Sequence, residues 1–166
     1  MECGSYWGIK LLEHATKVVE RIFEHRIWQQ IDIHDMQFGS VKGKGTTDAI
    51  FIVRQIQQKF RAKGEKLYFG FVDLEKSFDR VLRVVIRWAM HKLGVEEWLV
   101  SAVMTMCTGA KTVVRTVYGK SNYFEVEVGM QHGSALSPLL FVIVMETLEK
   151  SELPYHGSCC MCMTWL

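Results

Sequence analysis

The longest unbroken apolar run in the chain, Pro138 to Met145, is eight residues long, whereas a helix that crosses a bilayer needs roughly 20. No segment is expected to span a membrane, and the 166 residues are enough to bury a core as one domain or as part of a larger one. With 49% hydrophobic residues, 23% charged and a net charge of +2, the composition excludes a disordered tail or a fibrous repeat. Bulk charge therefore says little about partners. The chain opens on Glu2 and scattered polar residues rather than a basic patch and an apolar stretch, so no secretory signal is expected. Five cysteines, three of them crowded at Cys159, Cys160 and Cys162, lack the spacing of a disulfide framework. Free thiols in a reducing, intracellular compartment are expected.

The pattern alternates between helical and extended signals. Leu11, Leu12, Ala15, Val18, Val19, Ile22, Phe23 and Ile27 recur at three-and-four spacing, predicting a helix from Gly8 to about Gln30 with these residues on its buried face. The glycine- and lysine-rich stretch Gln37–Gly45 leads to Thr46-Thr47-Asp48, cap chemistry for a second helix running to about Ala62. Leu67 to Asp73 is aromatic and apolar until its last residue, as a strand buried on both faces would be. Val81, Val85, Ile86, Ala89, Met90 and Leu93 mark a third helix closed by Gly94, and a fourth runs from Glu96 to about Cys107. Lys111–Tyr118 and Tyr123–Val128 read as a hairpin turning at Gly119–Asn122, and a loop from Gly129 to Pro138 enters a last helix from about Leu139 to Lys150. The tail from Ser151 has no period.

Between Val41 and Lys66, seven cations stand against two carboxylates, a local net charge of +5. Such a stretch is ordinarily a solvated helix face with a basic loop. Its alternative is a surface for phosphate. Asp73 ends the apolar segment where a carboxylate could hold a cation, and Mg²⁺ favours a few carboxylates together with substrate phosphates. An aspartate at such a place is more often a turn former or a helix cap. Likewise, the glycine-rich stretch Gly129–Pro138 by itself is an ordinary loop, with Ser137 capping a helix and Pro138 in its first turn.

Taken together, in this order, these stretches resemble the reverse transcriptases of non-LTR (LINE-type) retrotransposons, over roughly Tyr6 to Lys150. Phe71-Val72-Asp73-Leu74-Glu75-Lys76-Ser77-Phe78-Asp79 resembles the first palm motif of that family. The resemblance implies that Asp73 holds the catalytic metals and Phe78 screens the sugar 2′ position. Gln131 to Phe141 resembles the second palm motif, Gln-Gly-x-x-x-Ser-Pro-x-Leu-Phe, which implies that Gln131, Gly133, Ser137 and Pro138 lie beside the template and the incoming nucleotide. Gln37-Phe38-Gly39 through Gly45-Thr46-Thr47-Asp48-Ala49 resembles the fingers motif over the template, and Tyr6 to Leu12 the opening motif. Lys42, Lys44 and Arg54 are the basic residues expected to touch template.

Several positions depart from that pattern. Trp7 replaces an arginine suited to phosphate, Lys10 a serine, Ser40 an aromatic residue, and His132 the glutamine that ordinarily precedes Gly133. Leu82 stands where proline is common and Cys107 where tyrosine is frequent. The third palm motif, Tyr-x-Asp-Asp, appears nowhere after Ser137. Codons for Tyr155 to Trp165, read one nucleotide earlier, permit Leu-Pro-Trp-Glu-Leu-Leu-Tyr-Val-His/Tyr-Asp-Leu, a sequence resembling that segment. Residues 151–166 are therefore expected to be an unstructured tail coded out of frame by a frameshift or a mispredicted exon shortly before Pro154. His156 with Cys159, Cys160 and Cys162 matches no zinc finger or ribbon spacing.

The expected fold is thus α/β (α+β) over residues 1–150: fingers and an incomplete palm, its antiparallel sheet carrying the Leu67–Asp73 strand and flanked by helices. The family activity is RNA-templated DNA synthesis from dNTPs on an RNA or DNA template-primer, with Mg²⁺ or Mn²⁺ as cofactor. For want of paired carboxylates, that activity is expected to be defective here. The alternative is a nucleic-acid-binding remnant without catalysis.

Overall fold

Across residues 11–71, 73–109 and 111–152, which a computed structural model describes, six helices and four short strands follow in the order α1 (His14–Trp28), α2 (Thr46–Lys63), α3 (Ser77–Arg80), α4 (Arg83–Lys92), α5 (Glu97–Cys107), β1 (Lys111–Thr112), β2 (Arg115–Thr116), β3 (Gly119–Lys120), β4 (Phe124–Glu125) and α6 (Ser137–Glu152). The apolar run lies in α6, whose residues from Leu139 to Thr147 are buried without a break. A helix that is apolar on all sides must be enclosed on all sides. Here α4 covers it with Ile86, Ala89 and Met90, and α5 packs on α4 through Leu99, Val100, Val103 and Met104. Ile27 of α1 and Met130 and Leu136 of the loop before α6 complete this core. Among the described residues no helix is long and apolar enough to cross a membrane.

The predicted period of α4 is borne out, since every apolar residue named for it is buried or half-buried. Gly94 closes the helix at φ +78°, with its N–H donating to the His91 carbonyl at 3.0 Å and the Val95 N–H to Met90 at 3.1 Å. That pair of bonds needs the left-handed conformation which glycine adopts without a Cβ penalty. In α2 the Asp48 carboxylate accepts the Gly45 N–H at 2.8 Å, so the expected cap residues act from inside the first turn.

Several expectations are corrected. The inward face of α1 is rotated: Val18 and Ile22 are exposed, while Glu20 and Ile27 are buried. The helix turns its Thr16-Glu20-Phe23-Ile27 side to the core because the Glu20 carboxylate has hydrogen-bonding partners there. Leu67–Phe71 and Asp73 form no strand, and Tyr68 and Phe71 are 83% and 87% exposed. A strand exists through its ladder, and among the described residues no other strand pairs with this segment. The expected central sheet is replaced by small antiparallel pairs, β1 with β4 and β2 with β3, within one hairpin. Its turn lies at Val117–Tyr118, not Gly119–Asn122. Arg115 faces Lys120 whereas Thr112 faces Phe124, a register that leaves one extra residue on the return strand; there Ser121 Oγ accepts the Val114 N–H at 3.0 Å. α6 continues to Glu152, two residues past the expected end. The opening motif up to Lys10, the Cys-rich tail and its shadow reading frame lie outside the described residues.

Candidate functional site

The segment after Asp73 turns sharply. Lys76 has φ +51°, a left-handed conformation uncommon for a residue with a Cβ, and the chain enters the single turn α3. That turn points Phe78 inward, where its ring stacks on Phe141 of α6 with centroids 4.6 Å apart and planes 15° from parallel. On another side it meets the His132 ring at 5.8 Å. The backbone does the same: Met130 N–H donates to the Phe78 carbonyl at 2.8 Å, and Gly129 N–H to Val81 at 3.0 Å. Asp79 Oδ1 lies 2.8 Å from His132 Nε2. Two stretches some fifty residues apart in sequence thus become one surface.

Their approach is close enough to require glycine. A Cβ on Gly129 would sit 2.7 Å from the Asp79 carbonyl oxygen and 2.9 Å from its Cα, and Gly129 has φ +86°. Gly133 is also left-handed, at φ +91°. Gln131 is half-buried and accepts the Ser134 N–H on its carbonyl at 3.2 Å, closing the turn that carries Gly133. Ser137 is buried at the start of α6 and Pro138 follows it. The hydroxyl of Ser134 accepts the N–H groups of Leu136 and Ser137 at 3.1 and 3.2 Å, so Ser134, rather than Ser137, supplies the capping oxygen.

Sequence reasoning overlooked the group that holds this loop. Glu20 of α1 is 4% exposed, and its carboxylate accepts the Ser134 hydroxyl and the Ala135 N–H, each at 2.8 Å. The available signal was that Glu20 shares a helix face with Phe23 and Ile27. Glu146 is a second buried carboxylate, on α6; it accepts the His34 N–H at 3.1 Å and pairs with Lys150 at 2.9 Å, tying down the loop ahead of α2.

Beside the joined stretches opens a cleft of about 870 Å³ between α1, the hairpin and the loop before α6. Its charged lining is Arg83, Lys111 and Arg115 against Glu20 and Asp79, and Gln131, His132 and Ser137 also face it. Arg83 donates to the Val126 carbonyl, fixing α4 to the return strand. Burial pushes the Cys107 thiol above its ordinary pKa, partly offset by the positive charge of Arg83.

Asp73 is exposed on the approach to Phe78. Among the described residues no three His, Cys, Asp or Glu side chains gather as metal ligands. A lone exposed carboxylate does not fit a site for a pair of divalent cations, which need several. Of the basic candidates, Lys42 and Arg54 are exposed, as are Lys59 and Arg61. Lys44 is half-buried and already partnered: its ammonium donates to the Asp35 carbonyl at 2.7 Å, pairs with Asp35 Oδ1 at 3.2 Å and lies over the Phe38 ring.

The family model described as reverse transcriptase (RNA-dependent DNA polymerase) matches residues 2–163. Similar proteins include a probable RNA-directed DNA polymerase from transposon X-element of Drosophila melanogaster, 26% identical over 162 residues, which are 94% of this chain and 18% of that protein. A retrovirus-related Pol polyprotein from type-1 retrotransposable element R2 of Nasonia vitripennis is 23% identical over 150 residues, 90% of this chain and 15% of its own length. An RNA-directed DNA polymerase from mobile element jockey of Drosophila funebris is 27% identical over 149 residues, 86% and 16% respectively. The chain spans less than a fifth of the length of each. The stretches that meet at Phe78 lie inside a match covering nearly all of these residues, and the chain belongs to the reverse transcriptase family, among those of non-LTR retrotransposons.

Proposed function

We propose that these residues are the fingers and the first part of the palm of a retrotransposon reverse transcriptase, able to hold template-primer and nucleotide but not, by themselves, to extend a primer. The observation that carries this reading is Phe78, held between Phe141 and His132 so that the two motif stretches present one surface. On that surface Phe78 screens the sugar of an incoming dNTP, while Gln131, Gly133, Ser137 and Pro138 form the wall beside template and nucleotide. Lys42 and Arg54 meet the nucleic-acid backbone, and Lys44 serves from behind by bracing the loop through Asp35. Asp73 is the one carboxylate that the first motif contributes to Mg²⁺ or Mn²⁺. Among the described residues no further acids gather with it as metal ligands, so this motif alone leaves the donor set short.

A second reading, a nucleic-acid-binding remnant, draws on the exposed cations of α2 and its preceding loop. One assay addresses both. With a primed RNA template, dNTPs and Mg²⁺ or Mn²⁺, the full chain should add no nucleotides above background. Extension that disappears on Asp73→Ala would overturn the reading and show that another acid completes the centre.

A further inference from the structure

We infer that Glu20 is a positioning residue: through Ser134 and Ala135, helix α1 sets the shape of the loop that presents Gln131, His132 and Gly133 to the cleft. This deepens the reading above and rests on it for what the cleft binds. The geometry is a relay. The Glu20 carboxylate, 4% exposed, takes one hydrogen bond from the Ser134 hydroxyl and one from the Ala135 N–H, both 2.8 Å long. With its proton directed to Glu20, Ser134 Oγ has its lone pairs left for the N–H groups of Leu136 and Ser137, the first donors of α6. Two donors of the loop are therefore satisfied by a side chain more than a hundred residues away, and two more by the Ser134 hydroxyl that this side chain orients.

A carboxylate suits this place because it only accepts, and both partners only donate toward it. Glutamine would set its own NH₂ against either the Ser134 hydroxyl or the Ala135 N–H. The backbone on the other side of the loop is pinned separately by Gly129 and Met130 to Val81 and Phe78. Loss of the Glu20 contacts should therefore loosen Ser134–Ser137 while the end at Met130 stays fixed.

The test is hydrogen exchange on the full chain, resolved to residues, alongside the affinity of a labelled primer–template. Glu20→Gln should speed exchange at Ala135, Leu136 and Ser137 by roughly ten- to a hundredfold, the factor expected when a charge-assisted hydrogen bond is lost. Exchange in α4 and α5 should not change, and primer–template affinity should fall. Ser134→Ala should reproduce the effect at Leu136 and Ser137, and Ser134→Thr, which keeps the hydroxyl, should restore protection. Uniform loss of protection through α4 and α5 would overturn the inference by making Glu20 an ordinary core residue. So would unchanged exchange at Ala135 in Glu20→Gln, or at Ser137 in Ser134→Ala. Local loosening in a protein whose unmutated form binds no primer–template would uphold the relay and sink the functional reading instead.

Discussion

Single residues decide how closely the two motif stretches approach. Gly129→Ala places a methyl group 2.7 Å from a backbone oxygen at φ +86°; strain and overpacking together should cost about 2 to 4 kcal/mol. Gly94→Ala has comparable strain, at φ +78°, but open space around the added carbon, and should cost only about 1 kcal/mol. Denaturant unfolding of the two variants checks the difference, and equal losses would mean that the contact with Asp79 is not tight. Glycine-rich sequence announced a loop here, yet nothing in it named Asp79 as the neighbour, because a close approach depends on what lies across the gap. The same holds for Glu20 and Lys44. A buried acceptor and an ammonium already paired with its neighbour look, in sequence, like any solvated charge.

At the scale of elements, periodicity succeeded where one helix face meets a continuous core. Val85, Ile86, Ala89 and Met90 of α4 turn inward, as their spacing predicts, and its glycine stop is where the left-handed cap forms. On α1 periodicity found the helix but misplaced its packed face, where Glu20 and Ile27 are buried while Val18 and Ile22 stay exposed. The contrast is measurable. Ile143→Ala, in the enclosed centre of α6, should destabilise by about 2 to 5 kcal/mol. Ile22→Ala, at an α1 residue that is 47% exposed, should stay within about 0.5 kcal/mol. A large loss at Ile22 would restore the face that the pattern alone predicts. Leu67–Phe71 teaches a related point: apolar composition marks a segment fit for a sheet, but the ladder that makes it a strand is a long-range property.

For the molecule as a whole, family membership was legible because motif order and spacing survive substitution. The contacts that join the motifs were not, since α4, α5 and the hairpin separate Phe78 from His132 and Phe141 along the chain. Net charge, at +2, conceals a local excess: Lys42 in the loop before α2 and Arg54, Lys59 and Arg61 on it are all exposed. If these side chains meet the nucleic-acid backbone, each phosphate contact releases counterions. About four contacts, from Lys42, Arg54, Lys59 and Arg61, then imply a roughly hundredfold fall in affinity between about 50 and 200 mM salt. The decisive measurement is the affinity of a labelled RNA–DNA primer–template for the full chain across that range. The account predicts binding with this steep dependence, flattened when the four residues are replaced by glutamine. Absence of binding at low salt, or an affinity indifferent to both salt and those replacements, would contradict it.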